Sequence, residues 1–189
     1  MSTSSQSSAP DASHDTLSQH LNTVFAPLEF PPELARRVLT HLSHKDAKRG
    51  GHSARLAFMG RRVLEAYLML FLHSCPPSKS VSKAPDYATV ASRALNTYIL
   101  GEHVAPHWNL GSVVRWHPTR DSIGTGPNDL RSIGLFKGGS TAHRLFHTRL
   151  LPHILLPGKP EGLLDTYHVR AHEVLKQMGG PQGPLAPPS

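Results

Sequence analysis

Apolar residues recur three and four positions apart over residues 52–72, which form the longest helical pattern in the chain. One stripe of the predicted helix consists of Leu56, Gly60, Val63, Tyr67 and Leu70. Further apolar residues widen this surface to nearly the whole circumference: Leu64, Leu68, Met69, Phe71 and Leu72. A helix that is apolar almost all round must be buried. We therefore expect it at the centre of the fold or at a subunit interface.

The same spacing predicts helices in the flanking segments. The one piece that could be extended or helical is short and lies within residues 105–128, so the predicted fold class is all-α. Proline is tolerated in a first helical turn, glycine ends helices, and Asp86 is a typical N-cap. Residues 105–128 read as irregular structure, with Trp108 in the core. The predicted helices span 15–26, 32–42, 52–72, 86–104, 129–137, 141–151 (stopped by Pro152) and 161–178.

The chain has 189 residues, enough for one domain with extensions. Proline and glycine concentrate near the ends and in the joints between helices. We expect an N-terminal arm with a short helix over residues 1–27, a helical domain over 28–158, and a C-terminal helix with a Pro/Gly tail over 159–189.

Basic residues are unevenly distributed. Residues 1–35 hold four acids and no Lys or Arg, so residues 36–189 carry 20 basic residues against nine acids, a net charge of +11. Lys and Arg clustered on a folded surface bind nucleic acid by releasing its counterions. Charge alone also allows an acidic protein or a membrane surface as the partner, but it favours nucleic acid.

The single cysteine, Cys75, excludes an internal disulfide and a cysteine-rich zinc site, and it favours a reducing compartment. No apolar run approaches the roughly 20 residues that cross a bilayer. The first 20 residues show neither a secretory signal nor the arginines of a transit peptide.

Residues 53–61 read Ser-Ala-Arg-Leu-Ala-Phe-Met-Gly-Arg. They resemble the signature helix of the ribonuclease III family, whose pattern is Asn-Glu-Arg-Leu-Glu-Phe-Leu-Gly-Asp before an apolar run. Residues 38–44, Val-Leu-Thr-His-Leu-Ser-His, resemble the end of the first helix of those domains. Residues 138–153 are similar to the last helix in the version found in fungal mitochondrial large-subunit ribosomal proteins. The resemblance extends over residues 31–156 and implies a helical ribonuclease III-type domain.

Active members of the family hold divalent metal between carboxylates and hydrolyse double-stranded RNA with it. Alanine removes a metal ligand, and arginine also repels the metal. Three acidic positions of the signature are occupied here by Ala54, Ala57 and Arg61. The family's other acids match Thr125 and Asn128, or Asp129 if the alignment shifts by one residue. We therefore expect no nuclease activity, no metal and no cofactor.

The resemblance implies a structural protein of the mitochondrial large ribosomal subunit, located in the matrix. Its partners would be ribosomal RNA, a second ribosomal protein with a similar domain, with which it would form a heterodimer, and other ribosomal proteins. Phe58 matches the family's phenylalanine that inserts into the partner domain, and Met59 flanks it. The predicted RNA-binding residues are Arg36, Arg37, Lys45, Lys48, Arg49, Arg144 and Arg149.

Two other functions remain open from the sequence. An active endonuclease would need compensating acids, for which Glu65 and Asp129 are the candidates. A free-standing RNA-binding or processing factor would share the basic surface. His143 and His147 have the spacing of two zinc ligands on a helix, but no acid or cysteine nearby supplies a third.

Overall fold

The structure is a computed structural model that describes residues 14–76, 86–117 and 139–186. In these ranges it is helical, without strands, so the all-α prediction is confirmed. The predicted helix at 129–137 lies outside the described residues. The α-helices are α1 (His14–Val24), α2 (Pro32–Leu39), α3 (Ala47–Gly50), α4 (Ala54–Ser74), α5 (Tyr87–Ala94), α6 (Thr97–His103), α7 (Gly139–Leu145), α8 (Leu151–Ile154) and α9 (His168–Gln177).

One hydrophobic core joins the described parts of the arm, the central segment and the C-terminal extension. From α1 and the residue after it come Leu17, Leu21 and Phe25, all fully buried. The Phe25 ring meets the Trp108 ring edge-on with centroids 5.0 Å apart, which confirms the prediction that Trp108 lies in the core. Leu163, Tyr167, Ala171 and Leu185 add to the same core from the C-terminal side. The division into three segments stays a prediction.

Helix α2 ends three residues earlier than predicted, at Leu39. Thr40 adopts an extended conformation and forms an isolated parallel bridge with Arg115. The His41 N–H donates to the Arg115 carbonyl and the Arg115 N–H to the Leu39 carbonyl, at 2.9 and 2.8 Å. This pairing replaces the helical hydrogen bonds, so Leu39 is buried while Leu42 is 60% exposed.

Helix α4 has one buried face and one exposed face. The buried face includes Ala57, Gly60, Leu64, Leu68, Phe71 and Leu72.

The helix predicted at 86–104 is divided into α5 and α6, because Asn96 takes an extended conformation and caps α6. Asp86 caps α5 as predicted, and its side chain accepts from the N–H groups of Ala88 and Thr89.

The prediction that Pro152 stops a helix is wrong. Helix α7 continues into a π-helical turn, Phe146–Leu150, and then into α8, which contains Pro152 near its start. The Leu151 N–H donates to the Phe146 carbonyl, five residues back. A widened turn relieves the clash between a proline ring and the carbonyl four residues earlier. Leu145, Thr148, Leu150 and Leu151 are buried.

The C-terminal helix begins later than predicted, at His168 instead of Glu161. Gly162 sits where a Cβ atom would be 2.4 Å from the Leu155 carbonyl oxygen, so the chain makes a close turn there before the helix. Residues 178–186, the C-terminal segment, then fold back so that Leu185 is fully buried. None of the helices described over 14–76, 86–117 and 139–186 is long and apolar enough to cross a membrane.

Candidate nucleic-acid interface

The three positions that match the family's acids lie along the first half of α4. Ala54 is exposed and Ala57 is buried. Arg61 donates from Nε to Glu65 Oε1 at 3.2 Å, and Arg62 donates from Nη1 to Glu65 Oε2 at 2.8 Å. Glu65, the nearby acid that could have compensated for the missing ligands, is therefore paired with two arginines.

The part of the chain that the structure describes contains no group of three or more His, Cys, Asp or Glu side chains arranged to hold a metal ion. Thr125, Asn128 and Asp129, which match the family's second set of acids, lie outside the described residues. On α4, the positions predicted to match two of the acids carry the methyl group of Ala57 and the guanidinium of Arg61, which is paired with Glu65.

A basic groove lies where α2 ends and α4 begins. Its cavity has a volume of about 390 Å³, and its lining consists of Arg37, Leu42, Ala47, Lys48, Gly51, His52 and Arg55. No carboxylate contributes to this lining. Arg49 is exposed in α3 beside Lys48. The groove therefore presents positive charge from three segments that are separate in the sequence.

Arg36 holds the backbone beneath this groove. Its Nη2 donates to the Gly50 carbonyl at 2.8 Å and to Glu33 Oε2 at 3.1 Å. A Cβ atom at Gly50 would be 1.5 Å from Arg36 Nη1, so only glycine leaves space for the guanidinium. Arg36 has a structural role here, and its predicted contact with RNA stays a prediction, as does that of Lys45, which is exposed.

An ion pair between a buried arginine and a partly exposed aspartate fixes the loop that precedes α3. Arg115 donates from Nη2 to Asp46 Oδ2 at 2.7 Å and from Nη1 to Thr40 Oγ1 at 3.2 Å. Arg115 is 8% exposed, so this charge depends on its partners for compensation. The pair ties the loop carrying Lys45 to the end of α2.

Arg144 and Arg149 face the C-terminal segment. Arg144 donates to the carbonyls of Met178, at 2.9 Å, and Pro184. Arg149 is 9% exposed and directs Nη2 at the Gly183 carbonyl at 3.4 Å, while its Nε and Nη1 have no partner. Burial lowers the pKa of Arg149. RNA contact by these two arginines stays a prediction, and it would require the C-terminal segment to move.

His143 and His147 meet edge-on, with ring centroids 4.5 Å apart. Burial, helped by the charges of His143 and Arg170, lowers the pKa of His147 to about 4. Burial, helped by Arg144, also lowers the pKa of His143. His147 packs against Phe71 and Phe146, and its Nδ1 has no hydrogen-bond partner. These surroundings make His147 a neutral core residue.

The exposed side of α4 carries the two predicted interface residues. Phe58 is 63% exposed and Met59 is 45% exposed, and the Arg62 guanidinium lies over the Phe58 ring at 5.5 Å. Leu70, 64% exposed, lies three turns further along the same helix. Exposure of large apolar side chains is typical of an interaction site, and the assignment of Phe58 and Met59 to an interface stays a prediction.

The family model described as Ribonuclease-III-like matches residues 31–154, about two thirds of the chain. The chain therefore belongs to the ribonuclease III-like family. Membership implies RNA binding and indicates double-stranded RNA binding or processing. Comparisons with curated proteins and with solved structures returned no match.

Two residues of the basic groove, His52 and Arg55, were absent from the RNA-binding residues predicted from the sequence. Two features of the sequence mark Arg55. It matches the arginine of the family signature, and it is a cation in the first turn of α4, where the helix dipole favours acids. Arg37 and Lys48, which were predicted, lie with it in the groove.

Proposed function

We propose that this chain is a non-catalytic, structural RNA-binding component of the mitochondrial large ribosomal subunit, acting in the mitochondrial matrix. The observation that carries the loss of catalysis is the state of Arg61. It occupies a metal-ligand position and is paired with Glu65, so the nearest carboxylate already has a cationic partner. A permanent cation at this position opposes binding of Mg²⁺.

The basic groove supports the RNA-binding part of the proposal. Exposed guanidinium and ammonium groups with no acid beside them gain free energy by neutralising phosphate. The resemblance of residues 138–153 to the last helix of ribosomal proteins of the fungal mitochondrial large subunit supports the ribosomal assignment. In that setting Phe58 and Met59 would contact a second ribonuclease III-like protein, and the C-terminal extension would lie among other ribosomal proteins.

Sedimentation of mitochondrial extract in a high-magnesium gradient tests the ribosomal role. We expect the chain in the large-subunit fractions, and we expect it to stay there after a high-salt wash. A chain that remains at the top of the gradient would instead be a free-standing RNA-binding or processing factor.

A nuclease assay tests the absence of catalysis. The purified chain, incubated with duplex RNA in Mg²⁺ or Mn²⁺, should leave the RNA intact. Metal-dependent cleavage that disappears in Glu65→Gln would show an active enzyme using the remaining carboxylate, and would refute the proposal. If cleavage persists in Glu65→Gln, the chain is repurified and its metal dependence is measured again. Activity that separates from the chain during repurification belongs to a contaminating nuclease.

A further inference from the structure

Among the described residues, the cations of the basic groove have no acidic partner. The side chains of Arg37, Lys48 and Arg55 make no hydrogen bond and no ion pair with any described residue. This distinguishes them from Arg36, Arg61 and Arg62, which are paired with acids. Three unpaired cations around one concave surface repel each other, and an anion placed between them removes that repulsion.

The backbone contributes in the same direction. The first turn of α4 contains no acidic residue, and Ser53 provides no side-chain cap for this 21-residue helix. The positive end of its dipole therefore adds to the field of the groove. The Ala54 N–H donates to His52 Nδ1 at 3.3 Å, so Nε2 is the ring nitrogen that can offer a further N–H donor.

The groove is on the side of α4 away from Ala57. Arg55 and Ala57 are two positions apart, which is a rotation of about 200° around an α-helix. Burial agrees with this arithmetic, because Ala57 is 4% exposed in the core while Arg55 lines the open groove. The cationic surface therefore differs in location from the face on which the family's signature acids would meet metal.

We propose that the basic groove binds backbone phosphates of duplex RNA, with Arg37, Lys48 and Arg55 as direct contacts. RNA would then lie across the N-terminal end of α4, on the side away from Ala57. This inference rests on the proposed RNA-binding function and adds the surface that performs it.

The sharpest test is Arg55→Glu in the full chain. This substitution reverses one groove charge, yet an acid in the first turn favours the helix dipole, so the thermal unfolding temperature should not fall. The matched control is Lys159→Glu, which makes the same charge change in an exposed turn. Affinity for a fluorescently labelled RNA duplex would be measured by anisotropy over a series of salt concentrations.

Loss of one phosphate contact should lower the slope of log affinity against log salt concentration by about 0.9. At about 0.1 M salt this corresponds to a loss of affinity of at least about eightfold. Lys159→Glu should bind like the wild type. If Arg55→Glu loses helix content, Lys48→Ala examines the same groove without altering α4. Replacing Arg37, Lys48 and Arg55 together by alanine should lower this slope by about 2.7. The matched control, in which Arg93, Lys159 and Lys176 are replaced together by alanine, should leave the slope unchanged.

The outcomes separate the two proposals. A wild-type chain that binds no duplex RNA would refute the proposed RNA-binding function and the groove assignment with it. Equal loss in the groove variants and in the controls would leave RNA binding in place and overturn the groove assignment. If polyglutamate displaces the RNA at equal charge concentration, the groove is a site for an acidic polypeptide, which also overturns the assignment.

Discussion

Replacing His147 by leucine would measure the cost of keeping a histidine neutral in the core. The side chain is 4% exposed, and burial, with smaller contributions from His143 and Arg170, lowers its pKa to about 4. In the unfolded chain the pKa of the same imidazole is about 6.5. Between these values the unfolded chain binds more protons than the folded chain, so stability decreases as the pH falls through this window.

The expected magnitude follows from the two pKa values. The full loss, reached below about pH 4, is about 3 kcal/mol, because each pKa unit corresponds to about 1.36 kcal/mol. At about pH 5 the loss relative to about pH 7.5 is about 2 kcal/mol. Burial, with His107 as a smaller cause, also lowers the pKa of His153 to about 4, so His153 contributes a similar loss that both proteins share.

The assay is urea unfolding at about pH 5 and about pH 7.5, followed by tryptophan fluorescence. Between about pH 7.5 and about pH 5, the free energy of unfolding of His147→Leu should fall by about 2 kcal/mol less than that of the wild type. At neutral pH the variant should be at least as stable as the wild type, because it removes a buried Nδ1 that has no partner. His172→Leu is the control, since His172 is exposed on α9. An equal acid loss in wild type and His147→Leu would refute this account.

Two further substitutions examine the Asp46–Arg115 ion pair and the exposed face of α4. Asp46→Asn should lower the free energy of unfolding in urea by about 2 kcal/mol, because it removes the negative charge that pairs with the buried Arg115. Glu33→Gln, at a carboxylate that is 76% exposed, should cost less than about 1 kcal/mol. Similar values for both would contradict the structural role of Asp46. Phe58→Asp should abolish co-purification with a second ribonuclease III-like protein without lowering stability. The control Leu70→Asp, on the same helix, should still co-purify with that protein. If Phe58→Asp retains the partner, the interface lies elsewhere.

Helices that bury a regular apolar face could be predicted from the sequence, and the misses occurred where a distant partner decides the local structure. Periodicity located α1, α4 and α5 because their buried residues follow the helical repeat. The end of α2 depends on Arg115, which pairs with Thr40 across 75 positions of sequence. A local pattern contains no sign of such a contact.

The candidate site was predictable only in part for a related reason. Arg144 and Arg149 look like exposed cations in a segment free of acids, but their partners are backbone carbonyls of the C-terminal segment. Every residue has a carbonyl group, so the sequence gives no sign of this pairing. Arg37 and Lys48 were predicted from charge. Their convergence with Arg55 depends on the hydrogen bond from the Ser53 N–H to the Thr40 carbonyl, which joins the start of α4 to the end of α2.

The π-helical turn Phe146–Leu150 restricts which insertions and deletions this domain tolerates. Deleting one residue there would restore ordinary α-helical geometry, but it would rotate α7 by about 100° relative to α8. The hydrogen bond from Tyr67 Oη to the Gly139 carbonyl, at 2.6 Å, and that from Arg144 to the Met178 carbonyl would then be lost together. Relatives that keep both contacts should therefore preserve the length of this turn even where its residues differ.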